Sequence, residues 1–351
     1  MKDKRVTIYD VAERLNVSAS TVTRALNGRK GVGEEMRGRI LACAEELGYR
    51  ANLVAKSLQR SRMRIGVIVN DRVHTFNSAV IEGARSAAAA LVDYNVEGEF
   101  ELIPCVDLNN RIREIMRRMM RDRFDGIIFV ANDTFDCNDI LDEVTRSGIA
   151  VGSVILSSPN PNIAFSVSPD NFRAGCMAAD LFSISGLPKG AQVLTTLGFT
   201  TLQNHTQSLE GFHHQNMRYG YRVHTLYHYD DPETAYRLVK SLLIENPTIR
   251  GIYSSTAMTD PICRVLNDLN RRDIKVVGTE ITENTRRYFE QGILMATIYQ
   301  NPFQQGKKAF ETMYSYLESG NAAEVRDIKI DSTIVVPGNL EFYERRYLKE
   351  E

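Results

Sequence analysis

A short stretch near the amino terminus, residues 17–28, constrains the fold of this chain more than any other feature. It reads Val-Ser-Ala-Ser-Thr-Val-Thr-Arg-Ala-Leu-Asn-Gly and follows Asn16, a residue type that readily adopts the left-handed conformation at a helix end. Ser18 is a good amino-terminal cap for a helix. Upstream, Thr7 can cap a first helix that runs through Leu15. Two short helices joined by so tight a turn predict a helix-turn-helix, whose second helix enters the major groove of DNA.

The predicted second helix has one apolar face and one face of small or polar side chains. Val22, Ala25 and Leu26 are expected to face the core of the head. Arg24 is long enough to donate two hydrogen bonds to a guanine edge, although a phosphate contact or a solvated arginine is the alternative. The side chains expected to face outward are Ala19, Ser20, Thr23 and Arg24.

A third helix is expected from Gly33 to Leu47, with Gly48 as a good carboxyl-terminal stop. Spacing at three and four residues predicts its buried stripe. That stripe comprises Met36, Ile40, Leu41, Ala44 and Leu47. The three helices together make residues 1–50 a small all-α head.

Charge is distributed unevenly along the chain. Residues 1–64 carry fourteen Lys and Arg against seven Asp and Glu, whereas the whole chain has a formal net charge of −1. A basic head on an acidic remainder favours contact of the head with a polyanion such as nucleic acid. Chance clustering of charges on a solvated face is the alternative.

The head resembles that of the lac-repressor/purine-repressor family of bacterial transcription regulators. The matching residues are Thr7-Ile8-Tyr9-Asp10-Val11-Ala12, Val17-Ser18, Thr21-Val22, Arg24 and Leu26-Asn27-Gly28. In that family, bases are read by the two residues after the serine of the turn and by the arginine before Leu-Asn-Gly. The DNA-binding residues implied in the head are Thr7, Ser18, Ala19, Ser20, Thr21, Thr23, Arg24 and Asn27.

Residues 48–58 resemble the hinge helix of the same family, which forms on the operator. Leu58 matches the leucine that the family pushes into the minor groove, and such apolar wedges bend DNA. Asn52, Ala55 and Lys56 are the other DNA-binding residues implied in this segment. Ala51 stands where the family usually has proline. An ordinary dimer or core contact is the alternative role for Leu58. We assign residues 51–63 to the hinge helix and linker.

After the linker, short apolar runs alternate with helical stretches. This rhythm predicts parallel strands joined by helices, and its repetition predicts a two-lobed, doubly wound α/β body over residues 64–340. Strands are predicted at 65–69, 100–105, 126–130, 149–154, 192–197, 222–226, 251–254 and 275–277, with a further strand signal at 327–336. Residues 341–351 form a charged tail, of which Tyr343–Glu351 is expected to fray.

The body resembles the periplasmic sugar-binding fold that the same family uses as its effector domain. The resemblance rests on the order of the strands and on local matches at Val167–Gly175, Glu210-Gly211-Phe212, Val276–Glu280 and Ala296–Gly306. Two positions depart from the pattern. Ser208 replaces the arginine before Gly211-Phe212, and residues 254–257 read Ser-Ser-Thr-Ala instead of containing Asn-Asp. These departures imply a ligand that differs from the well-known sugars, or a weaker site.

Ligands of open α/β sheets bind beyond the carboxyl ends of the strands. Polar side chains with one aromatic face suit a sugar or sugar-like metabolite. The predicted ligand-binding residues are Asn70, Asp71, Phe76, Asn77, Asn132, Phe199, Glu280 and Gln300. A role in turns or caps is the alternative for each of them.

Several function classes lack support in the sequence. There is no G-x-G-x-x-G after a strand, no P-loop and no nucleophile elbow, so neither a nucleotide cofactor nor an enzyme activity is expected. The five cysteines are scattered, which favours reduced thiols in the cytoplasm over a disulfide frame or a metal site. No signal peptide or membrane span is expected.

These features predict a cytoplasmic, homodimeric, sequence-specific transcription regulator. We expect a repressor that binds a palindromic operator and responds to a sugar or sugar derivative in the cleft. A solute-sensing protein of the same fold without specific operator binding remains an alternative. An enzyme acting on a sugar is a third class, but no catalytic constellation supports it.

Overall fold

The computed structural model describes residues 8–26, 31–47, 62–131, 138–158, 160–320 and 327–347. The chain divides into two compact units. One contains the helices up to residue 46, and the other contains most of the chain from residue 63 onward. We describe each unit by itself.

Three helices form the head, namely α1 (Ile8–Leu15), α2 (Ala19–Leu26) and α3 (Glu34–Glu46). Each contributes a fully buried side chain to one core, and these are Val11, Val22 and Ile40. Asn16 has φ of +53°, so the left-handed turn expected between the first two helices is confirmed. The short turn and shared core give the helix-turn-helix that the sequence predicts.

The predicted stripe of α3 is wrong at one position. Leu41 is 47% exposed, whereas Cys43 and Ala44 are buried beside Ile40. Positions three and four after Ile40 share its helix face, but the next residue along is rotated by about 100°. Leu41 is apolar, but its angular position on α3 lies outside the buried stripe.

The first lobe of the body contains one six-stranded sheet. Its strands are β1 (Met63–Asn70), β2 (Val96–Ile103), β3 (Gly126–Val130), β4 (Ala150–Val154), β5 (Phe165–Pro169) and β11 (Asp327–Ile330), and its order is β11-β5-β4-β3-β1-β2. The helices of this lobe are α4 (His74–Ala90), α5 (Leu108–Arg121), α6 (Asn138–Arg146) and α12 (Pro302–Glu318), with a 3-10 turn at Val92–Tyr94. The strands β11, β5, β4, β3 and β1 pair in parallel, as the alternating pattern predicts.

The second lobe repeats this plan with another six-stranded sheet. Its strands are β6 (Gln192–Leu197), β7 (Arg222–Tyr227), β8 (Ile249–Ser254), β9 (Lys275–Thr279), β10 (Leu294–Tyr299) and β12 (Thr333–Val335), and its order is β12-β10-β9-β8-β6-β7. The helices are α7 (Asn171–Ile184), α8 (Gln203–Tyr219), α9 (Pro232–Glu245), α10 (Thr259–Asp268), α11 (Thr285–Glu290) and α13 (Leu340–Tyr347). The edge strand β12 pairs antiparallel with β10.

The chain crosses between the lobes at residues 169–171, 299–302 and 330–333. At the first crossing, β5 ends in one lobe and α7 begins in the other. At the second, β10 leads into α12, which packs on α4 of the first lobe. The carboxyl ends of both sheets and these crossings therefore surround a cleft, as expected for a doubly wound sensor.

Each lobe has one pair of helices that cross at a glycine contact. A Cβ atom on Gly306 of α12 would overlap the carbonyl oxygen of Val80, and one on Gly83 of α4 would overlap that of Phe303. Gly175 of α7 and Gly211 of α8 make the same reciprocal contact in the second lobe. Gly175, Gly211 and Gly306 belong to the motifs that resemble the family. The close approach of the helices explains why glycine occupies these positions.

The expected fraying tail is wrong for residues up to 347. These residues form α13, in which Leu340 is only 2% exposed. The Tyr343 ring lies 5.3 Å from that of Tyr299 in an edge contact. Burial of these apolar side chains outweighs the charge of the segment. Among the residues that the structure describes, no helix is long and apolar enough to span a bilayer.

Candidate functional site

Hydroxyl groups fix the start of the second helix of the head. The backbone N–H of Thr21 donates to the Ser18 hydroxyl at 3.1 Å, which is the expected cap. The same Ser18 oxygen lies 2.8 Å from the hydroxyls of Ser20 and Thr21. The amino-terminal turn of α2 is therefore stabilised by a local network of small polar side chains. In a helix-turn-helix, this turn of the second helix is the part that approaches bases.

Arg24 lies along the outer face of its own helix. Its Nε donates to the Ser20 carbonyl at 3.3 Å, and its terminal nitrogen donates to the Ser20 hydroxyl at 3.4 Å. These contacts are long and exposed, so they contribute little and can be exchanged for a base or a phosphate. Arg24 is thus held near the start of α2 without being locked there.

Two of the remaining predicted DNA-binding residues, Thr23 and Ala19, lie within the described part of the chain, and the others lie outside it. Thr23 is exposed and donates to the Ala19 carbonyl at 2.8 Å. Ala19 is half-buried and packs against the head core, so it is less outward-facing than expected. The predicted DNA-binding residues that lie outside the described residues are Thr7, Asn27, Asn52, Ala55, Lys56 and Leu58.

A cavity of about 190 Å³ lies in the cleft between the two lobes of the body. Its wall brings together residues from the ends of β1, β7, β8 and β9 and from the crossings between the lobes. The predicted residues that line it are Asn70, Phe76, Asn77, Glu280 and Gln300. Asn132 lies outside the described residues.

Asp71 and Phe199 do not line this cavity. The Asp71 carboxylate instead accepts a hydrogen bond from the Cys105 backbone at 3.0 Å. The Phe199 ring lies 5.8 Å from that of Tyr229, while its backbone N–H donates to His205 Nδ1 at 3.0 Å. Both residues follow strands as predicted, but their side chains stabilise neighbouring loops.

Asn70 and Asn77 form the first-lobe wall together. The Asn77 amide donates to the Asn70 carbonyl at 2.6 Å and to the Asn70 side-chain oxygen at 3.2 Å. The Asn70 side chain also accepts from the Arg72 backbone at 3.1 Å. These bonds fix the loop after β1, so both asparagines shape the cavity as well as line it.

Glu280 is the most buried acidic group of the cavity wall. It is 8% exposed, and its backbone adopts φ of +68°, which is unusual for a residue with a side chain. One carboxyl oxygen accepts the Gln300 backbone N–H at 3.1 Å. The Gln300 side chain donates in turn to Asn171 at 3.0 Å, which joins the two crossings at 169–171 and 299–302.

Burial raises the pKa of Glu280 to about 8, because the low-dielectric surroundings disfavour the charged form. The hydrogen bond from the Gln300 backbone acts in the opposite direction but is weaker. At neutral pH the group is therefore mainly a neutral acid. A neutral carboxyl group offers the cavity one O–H donor, which a carboxylate lacks.

Asp230 is an important cavity residue that the sequence reasoning missed. It has φ of +53° and follows Tyr229 at +56°, so two successive residues occupy the left-handed region. A Cβ atom on Gly198 would overlap the Asp230 carboxylate, so the glycine leaves room for it. Burial raises the pKa of Asp230, while the charges of His205 and Arg72 lower it.

The position after β7 could have identified Asp230, because it obeys the same strand-end rule as the predicted residues. The lining residues that were not predicted also include Arg72, Asn171, Asn204, His205, Ser255 and Thr256. The last two come from the segment that replaces the family Asn-Asp. Ser208, at the family arginine position, does not line the cavity, and its hydroxyl lies 2.7 Å from that of Tyr253.

A buried histidine supports the loop that carries Asp230. The Asp230 backbone N–H donates to Nδ1 of His228 at 3.1 Å, so Nδ1 carries no hydrogen. The other ring nitrogen then donates to the Thr256 hydroxyl at 3.3 Å. Burial lowers the pKa of His228 to about 4, which keeps the ring neutral and this bonding pattern intact.

The cavity has the chemistry of a binding site. It combines amide, hydroxyl and carboxyl groups with the apolar face of Phe76. Within the described part of the chain, no three His, Cys, Asp or Glu side chains are grouped to hold a metal ion. The arrangement can therefore bind and orient a polar small molecule.

Two family descriptions match adjacent parts of this chain. "Bacterial regulatory proteins, lacI family" matches residues 7–52, and "Periplasmic binding protein domain" matches residues 65–322. Catabolite control protein A of Priestia megaterium is 27% identical over 96% of this chain and 98% of its own length. The transcriptional regulator RegA of Clostridium saccharobutylicum is 28% identical over 51% of this chain and 52% of its own length.

Solved structures of periplasmic binding proteins share the fold of the body. GanP, a glucose-galactose binding protein of Geobacillus stearothermophilus, has 20% identity and a TM-score of 0.68 over 80% of this chain and 99% of its own. A solute binding protein of Bacillus halodurans with bound myo-inositol has 18% identity and a TM-score of 0.68, and the match covers 82% of this chain and 99% of that protein. The periplasmic binding protein domain description matches most of the chain, so the chain belongs to that family, and its helix-turn-helix head of the lacI family makes it a DNA-binding transcription regulator.

Proposed function

We propose that a small, uncharged, polyhydroxylated metabolite in the cleft switches the operator affinity of this regulator. The observation that carries the proposal is the cavity whose wall takes Asn70 and Asn77 from one lobe and Asp230 and Glu280 from the other. A molecule held by both lobes favours their closed arrangement. The ligand would be a sugar, a polyol or a derivative of either.

The charges of the cavity favour an uncharged ligand over a phosphorylated one. Arg72 lies near Asp230, so the carboxyl group of Asp230 already balances the positive charge of this guanidinium in the cleft. A phosphate group requires several cationic or backbone donors, and it would meet the carboxyl group of Asp230. Hydroxyl groups, by contrast, both donate and accept, and so suit a mixed wall of amides and acids. The fold neighbours named for sugars and myo-inositol agree with this class of ligand.

We further propose that the regulator acts as a cytoplasmic homodimer on a palindromic operator, most simply as a repressor. Two-fold symmetry lets two identical heads read two half-sites. The effector would act by shifting the population between forms that can and cannot place both heads on DNA. The base-reading and hinge residues inferred from the sequence are part of this proposal.

A ligand screen tests the proposed effector class. We expect at least one unphosphorylated sugar or polyol to raise the melting temperature of the full chain, since a ligand that binds only the folded state stabilises it. The panel would pair each monosaccharide with its phosphate and its sugar acid. A response to phosphorylated compounds alone would contradict the assignment of an uncharged ligand. A complete lack of response to polyhydroxylated compounds would contradict the proposed effector.

Replacing Arg24 with alanine tests the reading helix. We expect a loss of about 1–3 kcal/mol in binding to the specific operator, together with weaker discrimination at one base pair, because a side chain that reaches a base edge is removed. Binding would be measured by titration against the operator and its single-base variants. Arg14→Ala, which removes an exposed arginine from α1, is the matched control. An equal loss on every duplex would show that Arg24 contacts only phosphate.

A further inference from the structure

A second cavity, of about 110 Å³, adjoins the first. We call it the side chamber. It shares Val73, Phe76, Ala257 and Glu280 with the main cavity, so the two spaces meet at these residues. Beyond them, its wall includes Ala79 of α4, Pro302 at the crossing and Tyr343 of the carboxyl-terminal helix.

The wall of the side chamber is mainly apolar. Tyr299 is 3% exposed, and its ring contacts that of Tyr343 at 5.3 Å. Thr282 also lines the chamber, but its hydroxyl donates to Asp260 at 3.0 Å. The aliphatic and aromatic groups therefore dominate the remaining surface. This chemistry contrasts with the amide- and acid-rich wall of the main cavity, and it favours an apolar occupant.

Glu280 is rigidly held where the two cavities meet. Its backbone N–H donates to Ile298 at 3.0 Å, and its carbonyl accepts from the Thr297 hydroxyl at 2.7 Å. With one carboxyl oxygen bonded to the Gln300 backbone, the group cannot swing freely. A ligand that spans both cavities must pass this acid, which as a neutral group can donate a hydrogen bond to an ether-type oxygen.

We propose that the effector has two parts, a polyhydroxylated ring in the main cavity and an apolar aryl or short alkyl group in the side chamber, joined by a glycosidic or ether oxygen near Glu280. The proposal deepens the function proposed above and depends on it for the polar part. An apolar protein cavity of roughly 150 Å³ can hold benzene, so the side chamber has the right order of size for one small ring. The class of ligand is thus an aryl or alkyl glycoside.

The apolar part can be tested without knowing the sugar. The chain contains no tryptophan, so Tyr343→Trp introduces a single indole into the chamber wall. We expect nitrobenzene to quench its fluorescence in a saturable manner. Phe342→Trp is the control, because the adjacent Phe342 is 77% exposed and should show only linear, collisional quenching. Equal, linear quenching of both variants would contradict the side chamber as a binding site.

The complete proposal is tested on the unaltered chain with pairs of methyl and 4-nitrophenyl glycosides. For each sugar that binds, we expect the nitrophenyl glycoside to bind at least about tenfold more tightly, because it buries additional apolar surface. Ala79→Phe should remove this gain by filling the chamber and leave methyl glycoside affinity unchanged. Ala89→Phe, on the exposed face of the same helix, should change neither.

The two proposals fail in different ways. Binding of sugars without a nitrophenyl gain would contradict the side chamber and leave the polar effector class intact. Saturable nitrobenzene quenching with no sugar binding would contradict the polar effector class and support the side chamber.

Discussion

Gly306→Ala should lower the free energy of unfolding of the body by about 3 kcal/mol. A Cβ atom at this position would overlap the backbone carbonyl of Val80, which cannot move without shifting all of α4. The helix pair α4 and α12 joins the crossing at 299–302 to the first lobe, so the strain falls on the element that fixes the cleft. Denaturant titration followed by far-ultraviolet circular dichroism would measure the loss.

Gly338→Ala is the matched control for this substitution. A Cβ atom on Gly338 would have no neighbour within 4 Å, so we expect a change within about 0.5 kcal/mol. A change in the free energy of unfolding for Gly306→Ala as small as that of this control would contradict the close contact between α4 and α12.

Glu280→Gln should remove the contribution of Glu280 to the pH dependence of the free energy of unfolding. The pKa of Glu280 is about 8 in the folded protein, compared with an ordinary value of 4.5. Below 4.5 the acid is protonated in both states. Between 4.5 and about 8 only the unfolded chain ionises, so stability falls as pH rises, and above about 8 the loss is complete. Glutamine stays neutral throughout and can still accept the Gln300 N–H.

The difference in the free energy of unfolding between Glu280→Gln and the unaltered chain is therefore expected to be small at pH 4.5. It grows to a few kcal/mol in favour of the variant at pH 8, on the order of 1.4 kcal/mol for each unit of pKa shift. Unfolding midpoints of both proteins across this range would measure it. Glu283 is an exposed neighbour, so the pH profile of stability of Glu283→Gln should be parallel to that of the unaltered chain. Parallel curves for Glu280→Gln would show that Glu280 is ionised in the folded protein at neutral pH.

Local sequence signals identify the elements of this fold well where one physical rule dominates. The left-handed turn at Asn16 follows from residue type, and the strand predicted at 126–130 has the observed ends because it is buried on both faces. Strand β5 at Phe165–Pro169 was not predicted as a strand, since alternating serines dilute its apolar pattern. The serines at 153 and 166 are hydrogen-bonded to each other at 2.7 Å inside the sheet, a pairing that only the fold reveals.

The strand-end rule locates the cleft but not the direction of each side chain. It selects Glu280 and Phe76, which line the cavity, and Phe199, which turns to Tyr229 instead. Asp230 was missed because it follows β7 in two successive left-handed residues, a conformation that tertiary contacts impose. The side chamber depends on α13, whose burial against Tyr299 overrides a charged sequence that predicts a frayed tail.

Operator affinity measured with and without the effector tests the central claim most directly. The full chain would first select its preferred duplex from a random library, which we expect to be palindromic. The compound that most stabilises the protein in the ligand screen would then be added to a binding titration. We predict that it changes operator affinity at least about tenfold, a coupling of about 1.4 kcal/mol, and that Asp230→Asn reduces this change. An operator affinity unaffected by every compound that binds the cleft would contradict the account.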